Sequence, residues 1–269
     1  MADGQDLTTT LGPRPWLIGM VHLCPLPGAP GDAGDWPATL AAAVRDAEAI
    51  AAAGFSAVLV ENFNDAPFHP DALPPETCAA LAVAAREVAK AVRIPVGVNA
   101  LRNDAATALS AAVAAGGRFI RVNVHTGAAI SDQGVLTGRA HETLRLRRRL
   151  GSAVAILADV HVKHAAPLGG ISLEQAARDC FQRGRAEALI VSGPGTGAAT
   201  SLEDLRRVKA AMPEAPVLVG SGATLETVAE LLATADGVIV GSAIMVGGRA
   251  GGPVDPERAS AFIRGARGA

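Results

Sequence analysis

Short apolar runs recur along the chain: WLIGMV (16–21), AVLVE (57–61), PVGVN (95–99), FIRVN (119–123), AVAILADV (153–160), ALIVS (188–192), PVLVG (216–220) and GVIVG (237–241). Their shortness and β-branched content predict strands. Between them lie helical patterns such as ATLAAAVRDAEAIAAAG (38–54), where Arg45, Asp46 and Glu48 cluster among small apolar residues. Strands that are apolar throughout are buried on both faces, which calls for a parallel sheet covered by crossover helices. Eight such units close most naturally on themselves, so the predicted fold class is α/β, a single (β/α)8 TIM barrel over residues 14–269. An open doubly wound sheet is the alternative, but no G-x-G-x-x-G follows the first strand. Helix starts support the parse: Ser172 with Gln175 makes a capping box, Ser201 and Thr224 sit at cap positions, and Asp255-Pro256 pairs a cap with a first-turn proline. Residues 1–13 lack the basic segment and apolar core of a signal peptide and read as a disordered tail.

Composition then excludes several classes. With 49% hydrophobic and 19% charged residues over 269 positions, the chain can bury a large core and is not disordered. A formal net charge of −2 provides no global attraction to nucleic acid or an anionic membrane, so any anion site must be local. No apolar stretch reaches the ~20 residues that span a bilayer, and no basic amphipathic helix is present. A soluble cytoplasmic protein is expected, with peripheral membrane contact and homo-oligomerisation left open. Cys24, Cys78 and Cys180 are odd in number and widely spaced, which suits reduced thiols; Cys24 reads as a passive packing residue rather than a nucleophile. The run RLRRR (145–149) reads as the solvated end of a helix.

Barrel enzymes carry their sites at the carboxyl ends of the strands, and here those ends are polar. The first five strands supply His22; Glu61, Asn62, Asn64 and Asp65; Asn99, Arg102, Asn103 and Asp104; Arg121, Asn123 and His125; and Asp159, His161, Lys163 and His164. The last three supply small residues. Glycine lets backbone N–H groups approach an oxyanion, so Gly220, Ser221 and Gly222 of GSGAT (220–224) and Gly241 and Ser242 of GSAI (241–244) are candidate phosphate binders. SGPGTG (192–197) is either a third wall or a flexible loop. Strand alternation would put Asp159, His161 and Lys163 on one face. A buried lysine there can act as base or imine former, or bind an anion as a plain cation. The candidate catalytic set is Glu61, Asp159, His161 and Lys163, joined by His22, Asn99, Arg121 and Asn123. A divalent metal is a further reading, with Glu61, Asp65, Asp159, His161 and His164 as candidate ligands, although no spacing such as H-E-x-x-H occurs. No other cofactor is implied.

Several long segments resemble a known family: IGMVHLCPLPGAP (18–30), VENFNDAPF (60–68), PVGVNALRNDA (95–105), FIRVNVHTGAAISDQG (119–134), ILADVHVKHAAPLG (156–169), DGVIVGSAI (236–244) and PVDPER (253–258). From about residue 16 to 265 the chain is similar to the BtpA/SgcQ family. The resemblance implies a ribulose-phosphate-binding barrel with a phosphate site after strands seven and eight, but no particular reaction. It covers His22, Glu61, Asn62, Asp65, Asn99, Arg102, Asn103, Asp104, Arg121, Asn123, Asp132, Gln133, Asp159, His161, Lys163 and His164. Phe63-Asn64 stands where relatives often carry glycine, and Cys24 where many carry proline; neither change removes an ionisable group. One namesake is associated with photosystem I biogenesis at thylakoid membranes, another with sugar uptake genes.

Two functions follow. The first is an enzyme acting on a phosphorylated sugar or nucleoside-like small molecule, by isomerisation, aldol or retro-aldol cleavage, or glycosyl-bond cleavage or transfer; in the last case Glu61 and Asp159 would pair as acid and nucleophile or base. The second is a non-catalytic assembly or stability factor. Ionisable groups at five strand ends favour the enzyme.

Overall fold

The computed structural model describes residues 6–193 and 195–268. In chain order the strands are β1 (Trp16–His22), β2 (Ala57–Glu61), β3 (Val96–Asn99), β4 (Phe119–Val122), β5 (Ala128–Ser131), β6 (Gly134–Thr137), β7 (Ala155–Asp159), β8 (Ala165–Pro167), β9 (Ala188–Val191), β10 (Val217–Val219) and β11 (Gly237–Val240). Eight of them form a closed parallel barrel in the order β1-β11-β10-β9-β7-β4-β3-β2. Closure through Trp16 opposite Gly237 and Ile18 opposite Ala57 excludes the open doubly wound sheet. Each of the eight apolar runs in the sequence holds one barrel strand.

Continuous hydrophobicity is explained by two cores. One set of strand residues, including Ile18, Met20, Leu59, Phe119, Leu157 and Ile190, fills the cylinder. The alternate set, including Leu17, Val21, Val58, Val98 and Ile156, meets the helices outside. Packing inside is tight: a Cβ on Gly97 would stand 2.3 Å from the Phe119 ring, so the absence of a side chain at position 97 makes room for that phenyl group.

The outer layer comprises α2 (Trp36–Ala53), α3 (Pro75–Ala91), α4 (Ala105–Ala115), α5 (Ala140–Arg149), α6 (Leu173–Arg178), α7 (Leu202–Ala211), α8 (Val228–Leu232) and α9 (Pro256–Arg267). Ser172 caps α6 by accepting from the Gln175 N–H, Ser201 caps α7 through Asp204, and Asp255 caps α9 through Glu257 and Arg258. Thr224 is not a cap: it opens a turn, accepting at its carbonyl from the N–H groups of Thr227 and Val228, and α8 starts only at Val228.

Two features depart from expectation. The tail expected over residues 1–13 contains a helix, α1 (Leu7–Leu11), capped by Asp6. Its Leu7 and Leu11 join the barrel-interior cluster beside Trp16, whose indole N–H donates to the Gly12 carbonyl. Burial of these two leucines outweighs the cost of ordering the segment; residues 1–5 lie outside the described residues. The second feature is an antiparallel sheet in the order β6-β5-β8, which joins the loop after β4 to the loop after β7. No helix of the described residues is long and apolar enough to cross a membrane.

Candidate active site

A cavity sits at the carboxyl end of the barrel, lined by Met20, His22, Glu61, Arg121 and Lys163 on one side and by Gly220, Ser221, Gly222, Gly241 and Ser242 on the other, with Thr196 and Gly197 between. Four of the early-strand ionisable groups, His22, Glu61, Arg121 and Lys163, therefore face one space with the late-strand glycines. A second recess adjoins it across Thr196, Gly197, Gly222 and Ser242 and is lined further by Thr224 and Arg258. Gly222 has φ +71°, and a Cβ there would fall 2.1 Å from the Ala198 carbonyl oxygen, so the backbone shared by the two recesses tolerates no side chain at this point.

His22 ends β1 almost fully buried. Its Nδ1 accepts from the Gly251 N–H at 3.0 Å, and its ring stacks on Phe63 with centroids 4.1 Å apart. In the neutral ring the proton then sits on Nε2, which is 3.8 Å from Glu61 Oε1. Burial pushes the His22 pKa down to about 4, with nearby Glu61 pulling the other way and Lys163 and Arg121 adding to the depression. The unfolded chain consequently binds the extra proton first. Acidification from pH 7 to pH 4 is expected to destabilise the fold through this group by about 3 kcal/mol, the stability being present above the unfolded pKa and lost as pH falls towards the folded one. Urea denaturation across that window should show a flatter slope in His22→Gln; equal slopes would contradict the assignment.

Glu61 ends β2, and its Oε2 accepts from the Asn99 side chain at the end of β3. Arg121 points inward from β4 and forks onto Asp159, with Nε to Oδ2 at 3.1 Å and Nη2 to Oδ1 at 2.9 Å. Both residues are buried. Asn123 donates to Asp159 Oδ2 at 2.9 Å and Ser192 to Oδ1 at 3.4 Å, so both oxygens of this carboxylate are engaged. Lys163 lies past the strand, its carbonyl held by Arg102 Nη2 at 2.6 Å. Burial lowers the Lys163 pKa, and Arg121 lowers it further, while Glu61 and Asp159 oppose the shift.

The shared face expected for Asp159, His161 and Lys163 does not form. β7 stops at Asp159 and the chain bends through residues 160–164, so strand alternation no longer applies. Lys163 enters the cavity with His22 and Glu61, whereas His161 lines a separate cavity with Asn123 and Asp159. Nor do the five candidate metal ligands converge. Asp65 accepts from the Leu26 N–H and the Asn62 amide and so ties the loop after β2 to the loop after β1, and His164 is exposed and bonded to Thr196. Among the described residues no group of three or more His, Cys, Asp or Glu is placed to hold a metal ion. Asn62, Asn103 and Asp104 serve the backbone by bonding Leu101, Val124 and Thr107. Asp132 and Gln133 sit at the β5–β6 turn. Within SGPGTG, Thr196 and Gly197 form a wall of the cavity, and Pro194 lies outside the described residues.

A family model described as the BtpA family matches residues 14–268. The chain belongs to the BtpA family. It is 45% identical to the photosystem I biogenesis protein BtpA of Synechocystis sp., over 96% of this chain and 90% of that protein. An uncharacterized protein of Pyrococcus furiosus is 46% identical over 92% of this chain and 93% of its own. Among solved structures, a thiamine phosphate pyrophosphorylase from Pyrococcus furiosus superposes with a TM-score of 0.60 at 15% identity, covering 98% of each chain. A phosphoribosyl anthranilate isomerase from Thermus thermophilus gives 0.58 at 14%, covering 94% of this chain and 98% of that one. At such identities these two share the barrel fold with this BtpA-family chain. Sequence reading marked the loop of Thr196 as a possible wall but missed Met20 and Arg258 among the residues lining the two recesses of the BtpA-family barrel. Met20 lies inside an apolar strand, and Arg258 ends the PVDPER segment on α9, away from any strand end.

Proposed function

We propose that the protein is an enzyme acting on a phosphorylated sugar or nucleoside-like small molecule at the carboxyl end of the barrel. The observation that carries this reading is the single cavity lined by His22, Glu61, Arg121 and Lys163 opposite Gly220, Gly222 and Gly241. Backbone N–H groups of residues 221–222 and 241–242 bind the phosphate beside the bare backbone of Gly220, with Arg258 of the adjoining recess supplying charge. Glu61, oriented by Asn99, accepts a proton from the substrate, and the neutral His22 ring donates its Nε2 proton to an oxygen that gains negative charge. Lys163, whose depressed pKa favours the amine, serves as imine former or proton carrier. Isomerase or aldolase chemistry fits this set better than glycosyl cleavage by two carboxylates, because Asp159 already has both oxygens occupied by Arg121, Asn123 and Ser192. Unpaired cysteines suit action in the cytoplasm.

The name of the Synechocystis relative favours a second reading, a factor that assists assembly of a protein complex. A thermal-shift panel of sugar phosphates and nucleotides separates the two. A true ligand at about 100 times its Kd is expected to raise the melting temperature by about 5–10 °C. A flat response across a broad panel would favour the assembly role.

A further inference from the structure

A separate cavity lies between the ends of β4 and β7 and the strands β5 and β8 of the small sheet. Its wall is mostly apolar, with Val124, Ala129, Val162 and Ile171 among the lining residues. Two polar atoms in that wall are buried without a hydrogen-bond partner, Asn123 Oδ1 and His161 Nε2. Asn123 is only 2% exposed, and its amide orientation is fixed because Nδ2 donates to the Asp159 carboxylate at 2.9 Å. Oδ1 is thus an acceptor that the fold leaves unused, a costly arrangement for a buried atom. His161 Nε2 pairs with a donor or an acceptor according to the tautomer of its ring. Asn123 Oδ1 can only accept. The ionisable neighbours in the wall are Asp159 and Asp179, and no lysine or arginine lines it, so an anion is disfavoured.

We propose that this cavity is a binding site for an uncharged, planar nitrogen heterocycle or aromatic amide that donates an N–H group to Asn123 Oδ1 and hydrogen-bonds His161 Nε2. The ring packs among the valines and alanines under the small sheet, and its polar edge satisfies the two unpaired atoms. The site is distinct from the cavity of His22 and Glu61 in charge, since that one is lined by Lys163 and Arg121. The two share a wall: Arg121, which lines the first, holds the Asp159 carboxylate that in turn holds Asn123 of the second.

Ligand-observed NMR and calorimetry on the full chain test the proposal with adenine against purine and with benzamide against methyl benzoate, each pair differing in its exocyclic N–H donors. Adenine or benzamide is expected to bind saturably, and its counterpart at least tenfold more weakly. Ala176→Leu, which fills the cavity from α6 and replaces neither polar residue, should weaken binding at least tenfold, and His161→Phe should do so while keeping the ring volume. Absence of binding by both donors in the folded wild-type chain, equal binding within each pair, or unaltered binding in Ala176→Leu would overturn it. Titration with sugar phosphates reports on the first cavity, so failure there leaves this result readable on its own.

Discussion

Glu61→Gln is expected to reduce kcat by roughly 10²–10⁴-fold on the substrate that the ligand panel identifies, the range that loss of a general base costs. Glutamine is nearly isosteric and can still accept from Asn99, so the melting temperature should hardly move and the loss should fall on the chemical step rather than on KM. Lys163→Met is the informative companion. If Lys163 forms an imine, that variant is dead and the wild-type chain is trapped by borohydride with substrate; if it acts only as a cation, KM rises instead. A Glu61→Gln variant that kept full turnover would sink the assignment of the proton acceptor.

Arg121→Met is expected to cost about 3–5 kcal/mol of folding stability, because it strands the Asp159 carboxylate in a buried position with Asn123 and Ser192 as its remaining donors. The pair itself need not be strongly stabilising, since desolvation of both groups opposes their attraction. The double variant Arg121→Met/Asp159→Leu should therefore regain part of the loss, and urea denaturation of all three chains measures the coupling. Arg121→Lys should not rescue, as an ammonium cannot make the two-pronged contact. A cost under about 1 kcal/mol for Arg121→Met would show that water reaches Asp159 and that the wall between the two cavities is open.

Much of this arrangement is written plainly in the residues. Barrel strands are legible because burial on both faces demands unbroken apolar runs, and each of the eight runs carries one. Polar residues at the ends of the first five strands and glycines at the ends of the last two likewise mark the mouth. What escapes is whatever depends on where regular backbone stops. His161 looks equivalent to Lys163 if β7 continues, and the turn after Asp159 sends the two into different cavities. Strands β5, β6 and β8 are short and are built from AAIS, GVLT and AAP, which carry neither an apolar run nor an alternation. Helix α1 was hidden for a related reason: Leu7 and Leu11 are only two apolar residues, and their importance comes from the open end of the barrel beneath them.

Pairing of β5 with β8 through Ile130 opposite Ala166 has a consequence for anyone who remodels this mouth. Segments 123–139 and 160–172 are stitched into one ribbon, so they behave as a cassette rather than as two independent loops. Grafting either one alone onto another barrel would tear its backbone ladder and leave the donor protein with a frayed edge. Moved together, they would carry Lys163 and the roof of the His161 chamber as a unit.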